Sequence, residues 1–518
     1  MSPLDVTDRW QSVCGLDDLV DGTGVCALVG GRQIALFLVA GKVHALDNFD
    51  PGSRANVLSR GLTGNLQNER VVASPIYKHH FSLTSGRCLE DPTFSVSAYA
   101  TRVVGDSVQV EIPRVARRIR LVVAGNGMAG MRTVEELLKL GVADRFQITV
   151  FGAEPRGNYN RILLSPVLSG EQQADDIMLH RPNWYARRGI TLHSGDPIVD
   201  IDRKRRVVRS RNGTLAPYDR LLIATGSDPI MLPLPGKDLP GVVTFRDLDD
   251  VNRMLEASGA DRRAVVIGGG LLGLEAAHGL ALRGMHVTVV HLMETLMERQ
   301  LDAPAGALLR AALEKRGIEF RMRAKTQALL GEERVTAVSF EDGGIVPADL
   351  VVMAVGVRPN MELAKKAYLA CDRGILVDDT LQTYDPAIYA VGECVQHRRQ
   401  TFGLVAPLWE QARICAQHIA EIGVSRFSGA INATQLKVSG IEVFSAGDFS
   451  EKGNRESLVL SDKRRGIYKR IVLEGNKICG AVLFGDTREA GRLRELIADG
   501  TDVSPIRDQL LFDTSAAA

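Results

Sequence analysis

Two segments of this chain repeat one pattern: an apolar run, a loop of three spaced glycines, and a stretch of helical period. Arg120-Leu121-Val122-Val123-Ala124 runs into Gly125-Asn126-Gly127-Met128-Ala129-Gly130 and the helical Met131 to Leu140. About 143 residues later, Val265-Val266-Ile267 runs into Gly268-Gly269-Gly270-Leu271-Leu272-Gly273 and a helix over Leu274 to Leu282. Within each loop the glycines have separate jobs. The first permits a tight turn, and the second lets the backbone approach a pyrophosphate. The third lets helix and strand pack closely, so that the helix N-terminus faces the phosphates. One G-x-G-x-x-G is a weak signal. Two, each inside a βαβ unit, restrict the chain to a doubled α/β architecture with two dinucleotide sites.

The surroundings of the loops name the ligands. After the first loop, the strand Gln147 to Phe151 delivers Glu154, placed to accept adenosine ribose hydroxyls. Further on, Asp219 to Ile223 leads into Ala224-Thr225-Gly226, and Ala387 to Val391 leads into Gly392-Glu393. These two signatures resemble those of the two-dinucleotide flavoprotein reductases similar to glutathione reductase. The resemblance implies FAD at the first site, held by Gly125, Gly127, Gly130, Glu154, Thr225, Gly226, Gly392 and Glu393, with Arg161 and Ile198 placed beside them. In that family the second signature carries an acid bound to the flavin ribityl chain, usually Asp. Glu393 keeps the charge on a longer arm.

The second site then takes the nicotinamide cofactor, with Gly268, Gly270, Gly273 and Gly356 around it. Glu275 lies near the start of the second helix, where related reductases place an acid near the nicotinamide. It is the one side chain offered as catalytic; the plain alternative is a surface glutamate. The strand Val287 to Val290 should end in an acid for NADH or lead to arginines for NADPH. It ends in His291-Leu292-Met293-Glu294, with no arginine in the turn. The reading leans to NADH and leaves NADPH open, with a pH-dependent part for His291 also open.

Composition narrows the class. Net charge is +1 with pI about 7.7, which offers no general field for nucleic acid or an anionic membrane. Basic runs such as Arg114 to Arg120 are short and read as solvated turns. The N-terminus has no apolar signal core, and no stretch reaches the roughly 18 apolar residues of a membrane span. Seven scattered cysteines, nowhere paired as C-x-x-C, fit a reducing compartment. A cytoplasmic protein is expected. Neither a thiol relay nor iron–sulfur spacing occurs, and the segment Asn158 to Ser165 has no cysteine. Cys394, beside Glu393, reads as core. The flavin should therefore be the last redox centre on the chain.

One family resemblance covers nearly all of it. Val150-Phe151-Gly152-Ala153-Glu154-Pro155-Arg156, Asn158-Tyr159-Asn160-Arg161-Ile162-Leu163-Leu164-Ser165 and Gln300-Leu301-Asp302 carry it. So do Gly356-Val357-Arg358-Pro359-Asn360, Gly403-Leu404-Val405-Ala406-Pro407 and Ala481-Val482-Leu483-Phe484-Gly485-Asp486. From about 118 to 514 the chain resembles the flavoprotein half of the large subunit of assimilatory NAD(P)H nitrite reductase. Residues 8 to 112, a series of short strands with Gly-rich turns such as Gly30-Gly31, resemble that enzyme's small subunit, a Rieske-like fold. Rieske clusters need C-x-H and C-x-x-H pairs. The match puts Asp50 and Gly52, and Ser74 and Tyr77, at the ligand positions, with His79 and His80 outside the spacing. No iron–sulfur cluster or other metal is expected, and the domain's expected work is docking.

The expected fold is thus α/β, a glutathione-reductase-like flavoprotein with two dinucleotide-binding domains, an N-terminal all-β Rieske-like domain and a C-terminal α+β cap. The boundaries read 1–113 for the β domain, 114–236 and 348–428 for the FAD domain, 237–347 for the NAD(P)H domain, and 429–518 for the cap. The nitrite-reducing half of the large subunit is not expected in a chain ending at Ala518. The resemblance therefore implies an electron-transfer component whose protein acceptor is the catalytic subunit of assimilatory nitrate reductase, or of nitrite reductase. A free-standing NADH oxidase or diaphorase and a redox-sensing flavoprotein are the alternatives.

Overall fold

In a computed structural model, residues 10–29, 32–111, 118–429, 433–438 and 440–512 are described. The expected Gly30-Gly31 turn, residues 114–117 of the basic run and the extreme N-terminus lie outside them. The chain divides into two compact units between residues 117 and 118.

The N-terminal unit is all β, as its β-branched runs and Gly-rich turns predict. Gly24–Val29, Arg32–Val39, Lys42–Asp47 and Ala98–Tyr99 form one antiparallel sheet, and Leu62–Leu66, Glu69–Ala73 and His80–Ser82 another. Ile34, Leu36 and Val110 fill one core, while Phe37, Leu46, Val72 and Phe81 fill a second.

The larger unit contains two five-stranded parallel sheets. The first runs Thr191–His193, Phe146–Phe151, Ile119–Ala124, Arg220–Ile223, Ile388–Ala390, and the second Val242–Thr244, Leu350–Met353, Arg263–Ile267, His286–Val290, Ile318–Arg321. Their central strands are apolar on consecutive residues because helices and loops cover both faces; Leu121, Val122 and Val123 are all buried. The helices after the glycine loops span Met128–Lys139 and Leu271–Leu282. Each starts three residues before the expected Met131 and Leu274, because its first turn takes in the loop's third glycine.

The C-terminal segment is an antiparallel sheet whose centre is the hairpin Ile467–Glu474 and Lys477–Phe484, with the helix Ala490–Asp499 packed on it, in keeping with the expected α+β cap. It is tied to the second nucleotide fold. Asp302, the N-cap of the helix Ala303–Glu314, accepts from the Tyr468 hydroxyl at 2.7 Å and from Arg470 at 3.1 Å. No helix among the described residues is long and apolar enough to cross a membrane.

Candidate functional site

The two glycine loops close alike. Gly125 N–H donates to the Phe151 carbonyl at 2.8 Å, and Gly268 N–H to the Val290 carbonyl at 2.8 Å. Their φ values are +125° and +122°. A Cβ there would lie 2.1 Å from the Ala224 oxygen or 2.3 Å from the Ala354 oxygen, so only glycine fits. A Cβ on Gly130 or Gly273 would lie 2.8 or 2.0 Å from the oxygen of the loop's first glycine. In contrast, Gly127 and Gly270 cap their helices in extended backbone, and a Cβ on either meets nothing within 4 Å. The space before each helix start is clear for a phosphate. The repeat continues beyond the loops: Ala224-Thr225-Gly226 and Ala354-Val355-Gly356 take equivalent places.

A cavity of about 1500 Å³ runs from the first loop to the second helix. It is lined by Gly125, Gly127, Glu154, Arg161 and Ile198 and by Thr225, Gly226, Gly392 and Glu393, with Glu275 joining from the second half. Gly130 lies beneath the loop, and Gly268, Gly270, Gly273 and Gly356 are not on this wall. A cleared helix start and two carboxylates spaced along one cavity suit the pyrophosphate, ribose and ribityl groups of FAD.

Both carboxylates belong to a charged chain that crosses between the nucleotide folds. Glu154 accepts from the Tyr159 hydroxyl at 2.7 Å and pairs with Arg161. Arg161 in turn donates to the Arg246 carbonyl at 2.8 Å. The Arg246 guanidinium pairs with Glu393, which also accepts from Ser227 Oγ at 2.6 Å. The longer arm of Glu393 thus meets a cation that sequence reasoning missed. Arg246 follows the strand Val242–Thr244 of the second sheet, outside every motif. The local signal is Asp247, an N-cap whose side chain accepts from Asp250 N–H, and it announces a helix and not a site.

Glu275 reaches the cavity from the second helix and accepts a hydrogen bond from Ser165 Oγ at 2.5 Å. Burial raises its pKa above the ordinary carboxylate value, and the Ser165 hydrogen bond opposes this in part. The structure therefore sets an acid of the second glycine-loop helix against Ser165 on the wall of the same cavity. Its partner Ser165 closes the motif Asn158 to Ser165. Cys394 is fully buried, and burial lifts its thiol to about 11 against hydrogen bonds from Thr225 and Gly226, in keeping with a core residue.

In the second glycine loop, Gly269 N–H donates to His291 Nδ1 at 3.0 Å. The ring proton therefore sits on Nε2, which faces the Thr295 carbonyl at 3.1 Å and Glu298 at 3.2 Å. The ring is occupied in holding the loop. The arginine absent from the local turn arrives from elsewhere: Arg323, just past the strand Ile318–Arg321, pairs with Glu294.

In the N-terminal unit the four positions matched to cluster ligands carry Asp50, Gly52, Ser74 and Tyr77. Asp50 and Ser74 are fully buried, and the carboxylate accepts from Ser74 Oγ at 2.6 Å, Ser53 Oγ at 2.7 Å and Gly52 N–H at 3.0 Å. Burial pushes the Asp50 carboxyl up, but these hydrogen bonds together hold it below its usual range. This set does not fit a [2Fe–2S] cluster, which needs thiolate and imidazole ligands. Among the described residues no group of three or more His, Cys, Asp or Glu side chains converges on one point. His79 is nevertheless close, its Nδ1 2.9 Å from where a Gly52 Cβ would stand.

Two dinucleotide folds sharing one cavity define an NAD(P)H-dependent oxidoreductase of the flavoprotein class. The chain belongs to the pyridine nucleotide-disulphide oxidoreductase family, which it matches over residues 119–417. Residues 9–111 match the Rieske-like [2Fe-2S] domain, and 433–501 the rubredoxin NAD+ reductase C-terminal domain. It is 50% identical over 385 residues to nitrite reductase [NAD(P)H] of Bacillus subtilis (strain 168), covering 74% of this chain and 48% of that protein. To the assimilatory nitrate reductase electron transfer subunit of the same organism it is 44% identical over 396 residues, covering 76% and 51%. The chain thus spans about half the length of these relatives. Among solved structures, the covalent putidaredoxin reductase–putidaredoxin complex aligns with a TM-score of 0.70 at 27% identity, over 76% of this chain and 96% of that one.

Proposed function

We propose that this chain is a cytoplasmic electron-transfer flavoprotein that accepts a hydride from NADH and passes electrons, one protein onward, to the catalytic subunit of assimilatory nitrate reductase, or of nitrite reductase. The observation that carries the reading is the single cavity lined by the first glycine loop, both FAD carboxylates and, from the opposite fold, Glu275. When bound, FAD supplies a hydride acceptor that can release electrons singly. The chain's own residues bind and orient. In this reading Gly125, Gly127 and Gly130 seat the pyrophosphate at the helix start, and Glu154 with Arg161 and Ile198 holds the adenosine end. Thr225, Gly226, Gly392 and Glu393 enclose the ribityl chain. Gly268, Gly270, Gly273 and Gly356 seat the nicotinamide cofactor, and Glu275 orients its reactive end. Stacking and alignment, more than proton transfer, are what such a hydride step asks of a protein.

We read residues 1–113 as a β domain without a cluster, whose ligand loops are joined by Asp50 and Ser74 instead, and assign it to docking. The FAD domain then takes 114–236 and 348–428, the NAD(P)H domain 237–347 and the cap 429–518. Anaerobic stopped-flow mixing tests the relay. NADH should bleach the flavin quickly, oxygen should restore it slowly, and the nitrate reductase catalytic polypeptide should restore it quickly. Fast turnover with oxygen alone would instead favour a free-standing oxidase, and reduction that no acceptor reverses would favour a sensor. Iron analysis and the visible spectrum test the N-terminal reading; two irons per chain would end it.

A further inference from the structure

The run Gly403 to Pro407 leads into the helix Val405–Ile419, which packs against the first loop's helix, Met128–Lys139. Leu404, Val405, Ala406 and Leu408 line the cavity at the start of this helix. Gln411 lies one turn beyond Leu408 on the same face, fully buried and not on the cavity wall. Its Oε1 accepts from Gly392 N–H at 2.9 Å. The partner fixes the direction of this amide: a backbone N–H can only donate, so the oxygen must face Gly392. The Nε2 group then has no acceptor among the described residues.

Polar hydrogens left unpaired in the interior are costly, and an apolar side chain of similar volume would avoid that cost. Packing alone therefore gives no reason for an amide at this position. The hydrogen bond to Gly392 does. Gly392 stands at φ +93°, and a Cβ on it would lie 2.9 Å from Ala129 Cβ in the first loop's helix. A glycine has little conformational preference of its own, so its surroundings decide how the turn lies. Before it, Val391 N–H donates to the Ile223 carbonyl at 3.0 Å, which ties the chain to the first sheet. After it, Val395 N–H donates back to the Gly392 carbonyl at 3.2 Å. Gln411 is the side chain that takes the remaining backbone group, across 19 residues of sequence. The next residue is Glu393, whose carboxylate pairs with Arg246 and accepts from Ser227 on the cavity wall.

We infer that Gln411 is a positioning residue of the first nucleotide site: from behind the cavity wall it fixes the Gly392–Glu393 turn against the helix that borders the cavity, and so sets how tightly FAD is held. The inference rests on reading this cavity as the FAD site. The test is calorimetric titration of the full-length apoprotein with FAD. Gln411→Leu should raise the dissociation constant about tenfold, as a buried N–H loses its acceptor. Gln411→Glu keeps an oxygen toward Gly392 and should bind as the wild type does at about pH 6, where a buried carboxyl retains its proton. A double-mutant cycle reads the link to the acid: Gln411→Leu should cost less in a Glu393→Gln background than in the wild type. Near-UV circular dichroism and NADH affinity should stay unchanged, which separates a displaced turn from a lost fold. If Gln411→Leu does not fold, Gln411→Met takes its place in every arm. Wild-type FAD affinity in the apolar variant, losses at Gln411 and Glu393 that simply add, or a Gln411→Glu protein as weak as Gln411→Leu would each overturn the inference and leave the FAD site standing. A wild-type chain that binds no FAD would overturn both.

Discussion

The first glycine loop has Asn126 at its second position and Gly152 after the neighbouring strand; the second loop has Gly269 and His291 in those places. The two pairs are equivalent, since Gly152 N–H and His291 N–H both donate at 2.9 Å to the next strand, to His193 and Arg321. A Cβ on Gly152 would lie 2.8 Å from Asn126 Cβ, and one on Gly269 would lie 2.8 Å from the His291 ring. Each pair has room for one side chain. At the first site that side chain is an amide, fixed by the Tyr185 hydroxyl at 2.6 Å, and Glu154 stands beyond the glycine. At the second it is an imidazole that fills the gap. Glycine spacing sets the backbone of both sites alike, and what the nucleotide's adenosine end meets is decided by which member of the pair carries the side chain.

The sharpest way to break this comparison is to place a methyl on each first glycine. Positive φ and a carbonyl near 2 Å make Gly125→Ala and Gly268→Ala costly, roughly 2–5 kcal/mol each. Gly125→Ala should purify without flavin. Gly268→Ala should keep its flavin, yet NADH should no longer bleach it in stopped-flow. Loss of both properties in either variant would mean that the sites do not act separately.

Next in size is the charged chain at the first site. Removing one partner of Arg246–Glu393 leaves the other unpaired in the cavity, at a cost of about 1.5–3 kcal/mol. Arg246→Ala and Glu393→Gln should raise the FAD dissociation constant about 10- to 100-fold, read by calorimetry on apoprotein, with NADH binding unchanged. At the second site, His291→Ala leaves the Gly269 N–H without its acceptor, worth about 1–3 kcal/mol. KM for NADH should rise several-fold while FAD affinity holds.

Glu275 adds a pH difference between the halves. Its folded-state pKa is raised, chiefly by burial. Its contribution to stability is therefore complete below the ordinary glutamate value of about 4.3 and is lost as pH rises through the higher folded value. Melting curves of Glu275→Gln against pH should be flatter in that window than those of the wild type. The smallest effect is expected at Glu294 and Arg323, an exposed pair worth well under about 1 kcal/mol. Arg323→Ala should raise KM for NADPH more than for NADH, by less than about tenfold. Equal changes for both would remove this pair from cofactor choice.

Much of this arrangement was legible in the chain itself. The loops, the strands feeding them and the C-terminal hairpin declare themselves through local rules: glycine where φ is positive, apolar runs where strands are covered on both faces, Gly475-Asn476 at a two-residue turn. Arg246, Ser165 and Arg323 were not legible as site residues. Each meets its partner through a contact between segments well separated in sequence; Arg246 and Arg323 lie in no pattern that marks them, and the run ending at Ser165 does not mark its hydroxyl as a partner for Glu275. The role of His291 was missed for the same reason, because the Gly269 N–H that occupies it is 22 residues away.

What the order of residues settled alone is the pair of nucleotide folds, since turn geometry and strand ends are short-range matters; it also put Glu154 just past a strand end, while family resemblance pointed to Glu393 and Glu275. The three-dimensional packing decided how those acids are neutralised, which loop holds an imidazole and how Asp50 bonds to Ser74. Hydrogen bonds and ion pairs form between atoms a few ångströms apart, and only the folded chain determines which atoms those are.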